Sequence, residues 1–312
     1  MRGLKLNVKT NNRIKTNNHI KSSFGDSLLL GFFYVFILAF SLICVYPMVL
    51  LVMSSFADEG ALVREGYKLI PSTFSLEAYK LVFSTDVIFN AYKVTIFTTV
   101  VGTLLSILCS SGLAYAMSSN GVGYKKQLAF FLYFTMLFNG GLVPTYILIS
   151  KYLQLKDSIW VYILPSLINP WNVFLLRSFL NTIPDSINES ARIDGANDAV
   201  ILFKIVLPLS LPAIATVSLF YALAYWNEWF RAILYIEDPN LQSLQSIIMK
   251  VLRNVDFAGE ISRQSGINTQ SLTPAYTTRM ATAVLTVGPI ILLYPFLQKY
   301  FVKGVVVGAV KG

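Results

Sequence analysis

The sequence predicts an all-α integral membrane protein with six transmembrane helices, and three observations support this fold class. Hydrophobic residues make up 55% of the 312 residues and charged residues 13%, too few to cover the surface of a soluble domain. The apolar residues also occur in blocks near the length of about 20 residues that crosses a bilayer. No block alternates with the period of a barrel strand, so the blocks are expected to be helices, which satisfy their own backbone hydrogen bonds in lipid.

Six blocks that are almost free of charge define the predicted spans. They cover residues 28–53, 94–117, 128–149, 159–176, 213–235 and 281–297. The fourth block contains Pro165 and Pro170, and Pro170 is expected to break its helix about midway because proline has no backbone N–H to donate. Residues 94–300, which contain five of the six spans, form the predicted core.

The positions of Lys and Arg predict that both termini are cytoplasmic, because cytoplasmic segments of membrane proteins carry an excess of these residues. The tails, residues 1–27 and 301–312, are basic, and Lys125 and Lys126 lie between the second and third spans. The longer segments 54–93 and 237–279 have mixed charge and are predicted to be extracytoplasmic. Their length indicates that they fold over the outer face or contact a partner there.

The composition disfavours several classes of function. The net charge is +9, but the basic residues flank the apolar blocks, so no nucleic-acid partner is expected. The single histidine, His19, lies in a polar tail, and Cys44 and Cys109 lie in apolar blocks, so we expect neither a metal site nor histidine-based catalysis. Neither a nucleophile with its base nor a Walker A sequence occurs, which predicts a non-enzymatic chain without its own ATP site.

The 184–208 loop, between the fourth and fifth spans, has the sequence features of two short helices. Thr182 as a cap and Pro184 near the first turn, followed by acid at the positive end of the helix dipole, predict a helix start. Gly195 is expected to interrupt this helix, and a second helical stretch is predicted for residues 197–206. Such a compact unit with small residues would admit the backbone of another protein. The same pattern also fits an amphipathic loop on the membrane surface.

The residue spacing within this loop resembles the EAA motif of permease subunits in ATP-binding-cassette (ABC) importers. The motif starts with Glu189-Ser190-Ala191, reaches Gly195 after three residues, and ends after nine more with Ile205-Val206-Leu207-Pro208. Ser190 stands where the family usually has Ala, which keeps a small side chain. The loop also has the position that the family requires, directly before the fifth span.

Other segments resemble the carbohydrate-uptake permeases, in particular the MalG-like subunit and its LplC-like or YtcP-like branch, which handles complex oligosaccharides. These segments are residues 139–144, 174–179, 193–196, 226–228 and 303–312. The likeness covers nearly the whole chain from the first span onward. It implies the type I ABC importer permease fold (MetI-like) in a bacterial cytoplasmic membrane.

The resemblance implies a non-catalytic membrane subunit that forms half of a translocation path for an oligosaccharide or polysaccharide. A second homologous permease subunit would form the other half, and an extracytoplasmic solute-binding protein would deliver the cargo. Two ABC ATPase subunits would bind ATP and Mg and drive alternating access through the 184–208 loop. The alternatives are a permease for another small solute and an ion-coupled secondary transporter. The latter would favour internal repeats and charged residues in mid-span, where only Glu228 and Arg231 occur.

The coupling residues implied by the resemblance all lie in the 184–208 loop. Glu189 is expected to meet an arginine of the ATPase, and the alternative is that Glu189 only caps its own helix. The full set is Glu189, Ser190, Ala191, Asp194, Gly195, Ala196, Ile205, Leu207 and Pro208, of which Glu189, Ala191, Asp194 and Gly195 are the expected contact residues. The family also implies that the glycine-rich C-terminal ending inserts between the ATPase subunits, with a frayed tail as the alternative.

Polar residues at membrane depth are the candidates for the substrate path, because such residues normally face a bundle interior. Aromatic faces pack on sugar rings, and amides and carboxylates bind sugar hydroxyls. The candidates are Asn139, Asn172, Trp226, Asn227, Glu228 and Trp229. Two alternatives stay open: the tryptophans can form an interfacial belt, and Glu228 can pair with Arg231 at helical spacing.

Overall fold

The computed structural model describes residues 24–84, 86–251, 253 and 276–291, and this part of the chain consists of helices joined by loops. The helices are α1 (Phe24–Ser55), α2 (Glu59–Glu65), α3 (Glu77–Phe83), α4 (Val87–Ser118), α5 (Lys125–Leu137), α6 (Leu142–Ile147), α7 (Trp160–Ile163), α8 (Pro170–Leu180), α9 (Asp185–Ile193), α10 (Asp198–Val200), α11 (Leu207–Leu209), α12 (Leu211–Trp226) and α13 (Phe230–Tyr235). Two further helices, α14 and α15, cover residues 244–251 and 276–291. The predicted all-α class is confirmed.

Several predicted segments lie outside the described residues. They are most of the N-terminal tail, the whole C-terminal tail, the end of the sixth span and much of the 237–279 segment. Within the described part, the only β pairing is an isolated bridge between Ala57 and Phe74.

The first predicted span lies in α1. Residues Leu28–Ser55 are long and apolar enough to cross a membrane. The chain divides after Val49 into two units, and every described side chain from Leu28 to Val49 is exposed. A helix with so much exposed apolar surface is stable in lipid, because lipid tails solvate apolar side chains and water does not.

The second predicted span lies in α4, which is longer than the apolar block. The helix starts at Val87, two turns before the predicted start at Val94. Its first turns contain Asn90, whose side-chain amide donates to Asn240 Oδ1 at 3.0 Å, and the exposed Lys93. Hydropathy marks the part of a helix that lies in lipid, whereas the helix itself can continue into the polar region beyond it. The predicted 54–93 segment is therefore shorter than expected.

Three predicted spans are not continuous helices. In the third, the helices before and after residue 140 are bent by 113°, and Gly141 there has a φ of +88°. In the fourth, Pro170 is the first residue of α8, so the predicted break at this proline is confirmed. In the fifth, α12 ends at Trp226, where the Asn227 side chain donates to the Leu223 carbonyl at 2.9 Å and competes with the next backbone bond.

The described residues contain two uninterrupted helices that can cross a membrane. They are Leu28–Ser55 and Val87–Ser118, and the number rises to four if each of two bent helix pairs is one span. One bent pair starts with α5, and the other joins the end of the 184–208 loop to α12 at 87°.

The core of the fold is the contact of α4 with α12 and α8. Gly102 of α4 lies against the ring of Tyr225, which leaves no room for a side chain. The Tyr225 hydroxyl lies 2.9 Å from Ser106 Oγ, and the Tyr221 hydroxyl lies 2.7 Å from Ser110 Oγ. Hydroxyl pairs of this kind fix the register of two helices, because lipid offers no alternative partner.

The broken fourth segment is attached to the same tyrosines. The Asn169 N–H, next to the break, donates to the Tyr221 hydroxyl at 2.9 Å, and the Tyr225 hydroxyl contacts the Ile163 carbonyl at 3.3 Å. The backbone polar groups that the break releases are thus partly satisfied by α12.

Gly102→Ala is expected to destabilise the protein, although alanine is the better helix former by about 1 kcal/mol. The added Cβ would lie 2.7 Å from Tyr225 Cζ, and the ring is held by its hydroxyl, so overpacking should cost about 1–3 kcal/mol. Thermal unfolding of the detergent-purified protein measures this cost. Gly112→Ala in the same helix is the control, because a Cβ there meets no atom within 4 Å. Equal melting temperatures for the two variants would contradict the packing described here.

Candidate functional site

The 184–208 loop begins with a helix, but the predicted cap is wrong. Pro184 occupies the N-cap position and α9 starts at Asp185. Thr182 does not reach α9, because its hydroxyl donates to the Phe179 carbonyl at 2.7 Å and caps the end of α8 instead. Asp185 does place acid in the first turn, where the helix dipole favours it.

Gly195 interrupts the loop as predicted, and the backbone explains why glycine stands there. The Ala196 N–H donates to the Ala191 carbonyl at 2.9 Å, and the Gly195 N–H donates to the Arg192 carbonyl at 3.0 Å. These two bonds form the Schellman motif that ends many helices. Gly195 has a φ of +84°, a left-handed conformation that costs other residues about 1–2 kcal/mol.

The second helical stretch begins as expected and ends later than expected. The Asn197 side chain accepts from the Val200 N–H at 2.9 Å and caps α10. The prediction that the stretch ends at Val206 is wrong, since it continues through α11 to Leu209. Residues 201–206 form wider π-helical turns, which accommodate a proline at 208 that can neither donate a backbone bond nor fit against a normal helical turn.

One face of the loop packs against the rest of the chain. Ala191 is 9% exposed, and Ile201, Leu202 and Val206 are also buried in the core cluster. The expectation that Ala191 contacts a partner is therefore corrected, because this side chain faces its own protein. Three more members of the predicted coupling set are half-buried and pack on the same cluster: Ala196, Ile205 and Leu207.

The opposite face of the loop is exposed and carries the rest of the predicted coupling set. These residues are Glu189, Ser190, Asp194, Gly195 and Pro208. The Glu189 carboxylate makes no hydrogen bond or ion pair within the described part of the chain, so nothing there supports the alternative in which it caps its own helix.

The sequence analysis missed Ile193 on this exposed face. Its exposure of 86% is the highest of any large hydrophobic residue in the described part of the chain. The helical pattern contains the signal, because Ile187 and Ala191 are four positions apart and define the inner face, whereas Ile193 lies on the other side of α9.

A polar network attaches the loop to the end of α4. Arg192 Nη2 lies 2.9 Å from Asp198 Oδ1 and 3.3 Å from Ser119 Oγ, and the Tyr115 hydroxyl donates to Asp198 Oδ1 at 3.2 Å. The Tyr115 hydroxyl and the Asp198 carboxylate raise the pKa of Arg192 above its usual value. Asp185 Oδ2 accepts from the Asn120 side chain at 2.9 Å. These contacts join the loop to the end of α4.

A cavity of about 460 Å³ lies beside the break in the fourth segment. Trp171 and Asn172 of α8, Tyr221 and Tyr225 of α12, and Arg231 of α13 line it. Of the predicted substrate-path residues, only Asn172 lies in its wall.

Trp226 is a packing residue in this structure, which corrects its predicted place in the substrate path. Its indole N–H donates to the Thr286 carbonyl at 3.2 Å, and its ring is buried beside Ile88, Ala91 and Leu244. The contact joins α12 to α15, so the side chain is closed off from the cavity.

The other predicted path residues make local contacts. Asn139 is exposed and accepts from the Gly141 N–H at 2.8 Å in the turn after α5. Asn227 is exposed and accepts from the Gln245 side chain at 3.3 Å, and Trp229 packs edge-on against the next phenylalanine. Glu228 pairs with Arg231 at helical spacing, the arrangement predicted as the alternative to a path role.

A helical membrane protein with a polar cavity between its helices and a rigid, exposed loop has the form of a membrane-embedded subunit of a transport system. The sequence comparison establishes the family. The chain belongs to the family of binding-protein-dependent transport system inner membrane components, whose profile matches residues 19–307.

Two relatives and one solved structure support this assignment. The chain is 46% identical to the polygalacturonan/rhamnogalacturonan transport system permease protein YtcP of Bacillus subtilis (strain 168), over 89% of this chain and 96% of the relative. It is 40% identical to protein LplC of the same organism, over 86% of this chain and 90% of the relative. The solved structure is the crystal structure of a bacterial ABC transporter involved in the import of the acidic polysaccharide alginate. One of its chains matches with a TM-score of 0.78 and 31% identity, over 89% of this chain and 98% of that chain. The predicted resemblance to ABC importer permeases is confirmed.

Gly195→Val is expected to distort the loop, because valine adopts a positive φ at high cost. The loop is the surface that we propose below for docking of the ATPase subunits, so their binding should weaken. Gly195→Asn should retain more binding, since asparagine tolerates this conformation. Co-purification of the ATPase subunits with each variant measures the effect. Gly123→Val is the control: Gly123 has no positive φ, and a Cβ added there would meet no atom within 4 Å. Normal binding by Gly195→Val would contradict the backbone argument.

Proposed function

We propose that this chain is one of two homologous permease subunits in an ATP-driven importer for an acidic oligosaccharide, and that the 184–208 loop couples it to a separate ATPase dimer. ATP and Mg would bind to the ATPase subunits, and an extracytoplasmic solute-binding protein would deliver the cargo. The observation that carries the proposal is the exposed face of the loop, which is held rigidly to α4 while its own polar groups remain available.

The chemistry of this face fits a docking surface. Glu189 offers an exposed carboxylate without an ion-pair partner in the described part of the chain, and Ile193 offers an apolar side chain that water disfavours. A groove with a basic residue and an apolar pocket would complement both. The EAA-like spacing supports an arginine of the ATPase as the partner of Glu189.

A rigid loop is what a mechanical coupling requires. The Schellman motif at Gly195 fixes the angle between its two helices, and the Arg192–Asp198 pair ties it to Ser119 and Tyr115 at the end of α4. Because α4 packs along α12, a displacement of the loop would be transmitted to α12, which lines the cavity. This is the rigid-body movement that alternating access needs.

We further propose six membrane crossings with both termini in the cytoplasm. The broken third, fourth and fifth segments would each count as one span, since irregular backbone is tolerated at membrane depth where protein or a cavity surrounds it. The sixth span would begin in α15. Lys125 and Lys126 at the start of α5 support a cytoplasmic position for this end of the bundle, and the 184–208 loop contacts the same end through Asn120.

The proposal of an acidic cargo rests on the relatives. One is named for polygalacturonan and rhamnogalacturonan, and the matching solved structure belongs to an importer of alginate. These polymers share uronic acid units, whose carboxylates are ionised at neutral pH. Uptake of galacturonate oligomers into proteoliposomes that needs ATP hydrolysis and resists ionophores would separate this function from an ion-coupled transporter.

Glu189→Ala should abolish ATP-dependent uptake, because the loop would lose its ion pair with the ATPase. The complex should remain assembled in the membrane and hydrolyse ATP without responding to the loaded binding protein. Uptake and ATPase assays on the same proteoliposomes measure both effects. Glu77→Ala removes an exposed carboxylate from α3, outside the loop, and should leave both activities normal. Normal uptake with Glu189→Ala would refute the coupling role.

Ile193→Ser should weaken the affinity for the ATPase subunits by about tenfold or more, since burying an isoleucine contributes about 1.5–3 kcal/mol. Titration of purified ATPase subunits onto the permease pair in nanodiscs measures the affinity. Ile70→Ser is the matched control, because Ile70 is also highly exposed but lies in the segment between α2 and α3. Equal effects of the two substitutions would show that Ile193 makes no special contact.

A further inference from the structure

The Asn172 side chain lines the cavity beside α8 and has no hydrogen-bond partner in the described part of the chain. Asn172 is 5% exposed, and no hydrogen bond joins its side chain to any residue in the described part of the chain; only its backbone N–H is engaged, with Asn169 Oδ1 at 3.3 Å. The amide atoms of Asn172 are not enclosed by protein, so they face the open cavity, where water or a ligand can bind them. A ligand that displaces this water must offer hydroxyl or carbonyl groups to the amide.

Arg231 is the one charged side chain among the residues that line this cavity. Glu228 holds it in place: one carboxylate oxygen accepts from the Arg231 backbone N–H at 2.9 Å, and the other pairs with Nη1. The ion pair makes a cation tolerable at membrane depth. The remaining guanidinium N–H groups have no bond to any described residue and are available to an anion.

The chemical class of this anion follows from the donors and the wall. A guanidinium presents parallel N–H groups that match the two oxygens of a carboxylate. Trp171 is exposed and adds an aromatic face next to Asn172, and the volume of about 460 Å³ lies within the range of small-ligand sites. A sugar ring that carries a carboxylate offers a partner to each of the three groups: the guanidinium, the amide and the aromatic face.

We infer that this cavity is a binding site for a uronate unit of the passing oligosaccharide, with Arg231 binding the carboxylate, Asn172 a hydroxyl and Trp171 the ring face. The inference rests on the proposed role of the chain in the translocation path. Glu228 already neutralises part of the Arg231 charge, which reduces the attraction for the carboxylate and favours release of the sugar. Arg231 is thus the residue that favours acidic over neutral sugars.

The test compares the galacturonate trimer with its fully methyl-esterified form, which has the same sugar rings but a neutral ester in place of each carboxylate. Isothermal titration calorimetry on the purified importer in nanodiscs, without binding protein, measures both dissociation constants. The expected result is at least tenfold tighter binding of the acid form by the unaltered complex, and loss of that preference in Arg231→Gln. Arg231→Lys should restore only part of the preference, because an ammonium lacks the paired N–H groups.

Two further variants make the outcome specific. Glu228→Gln combined with Arg231→Gln removes both charges, so that no unpaired carboxylate remains to unfold the site. This double variant should also lose the preference for the acid form. Lys93→Gln removes an exposed cation of α4 outside the cavity and should retain it. The melting temperature of each complex checks its folding.

The inference is overturned if the unaltered complex binds neither trimer or both equally, or if Arg231→Gln keeps the preference for the acid form. Failure of the proposed function has a different signature. In that case the complex carries out no ATP-dependent uptake, and the substitutions at Glu189 and Ile193 change nothing, whatever the calorimetry gives.

Discussion

The contact between α4 and α12 is the interaction on which the other parts of this structure depend. Gly102 lets the ring of Tyr225 lie directly on α4, and the Tyr221 and Tyr225 hydroxyls bond both to serines of α4 and to backbone groups beside the break before α8. In lipid, hydrophobic burial cannot drive helices together, so close packing and hydrogen bonds must do so. Two tyrosines therefore hold three segments in register.

This contact also relates the two functional regions of the molecule. The cavity lies between α8 and α12, and the 184–208 loop is joined to the end of α4 through Tyr115 and Asp198. A helix is stiff along its axis, so α4 and α12 provide a direct mechanical connection from an exposed loop to the wall of a binding cavity. The break in the fourth segment lies beside the cavity, where its free polar groups can face a ligand or another helix rather than lipid.

The sequence determined those features that depend on local backbone chemistry. Proline at 170 cannot continue a helix, and α8 begins there; glycine at 195 accepts a positive φ, and α9 ends there. The apolar blocks and the spacing of the EAA-like residues are likewise properties of the chain, and they led to the correct family. The local sequence indicated a wrong cap at Thr182. Its hydroxyl could cap either the end of α8 or the start of α9, and in the structure it bonds to the end of α8.

Only the tertiary structure decided which side chains meet. Ala191 and Trp226 looked like contact residues for partner and substrate, but both are buried against helices that come from distant parts of the sequence. Conversely, Ile193 is exposed because it lies on the side of α9 opposite the buried Ala191. Asn172 and Arg231 share a cavity because α12 folds back along α8. Hydropathy and motif spacing describe a segment alone, whereas burial depends on the segment that packs across from it.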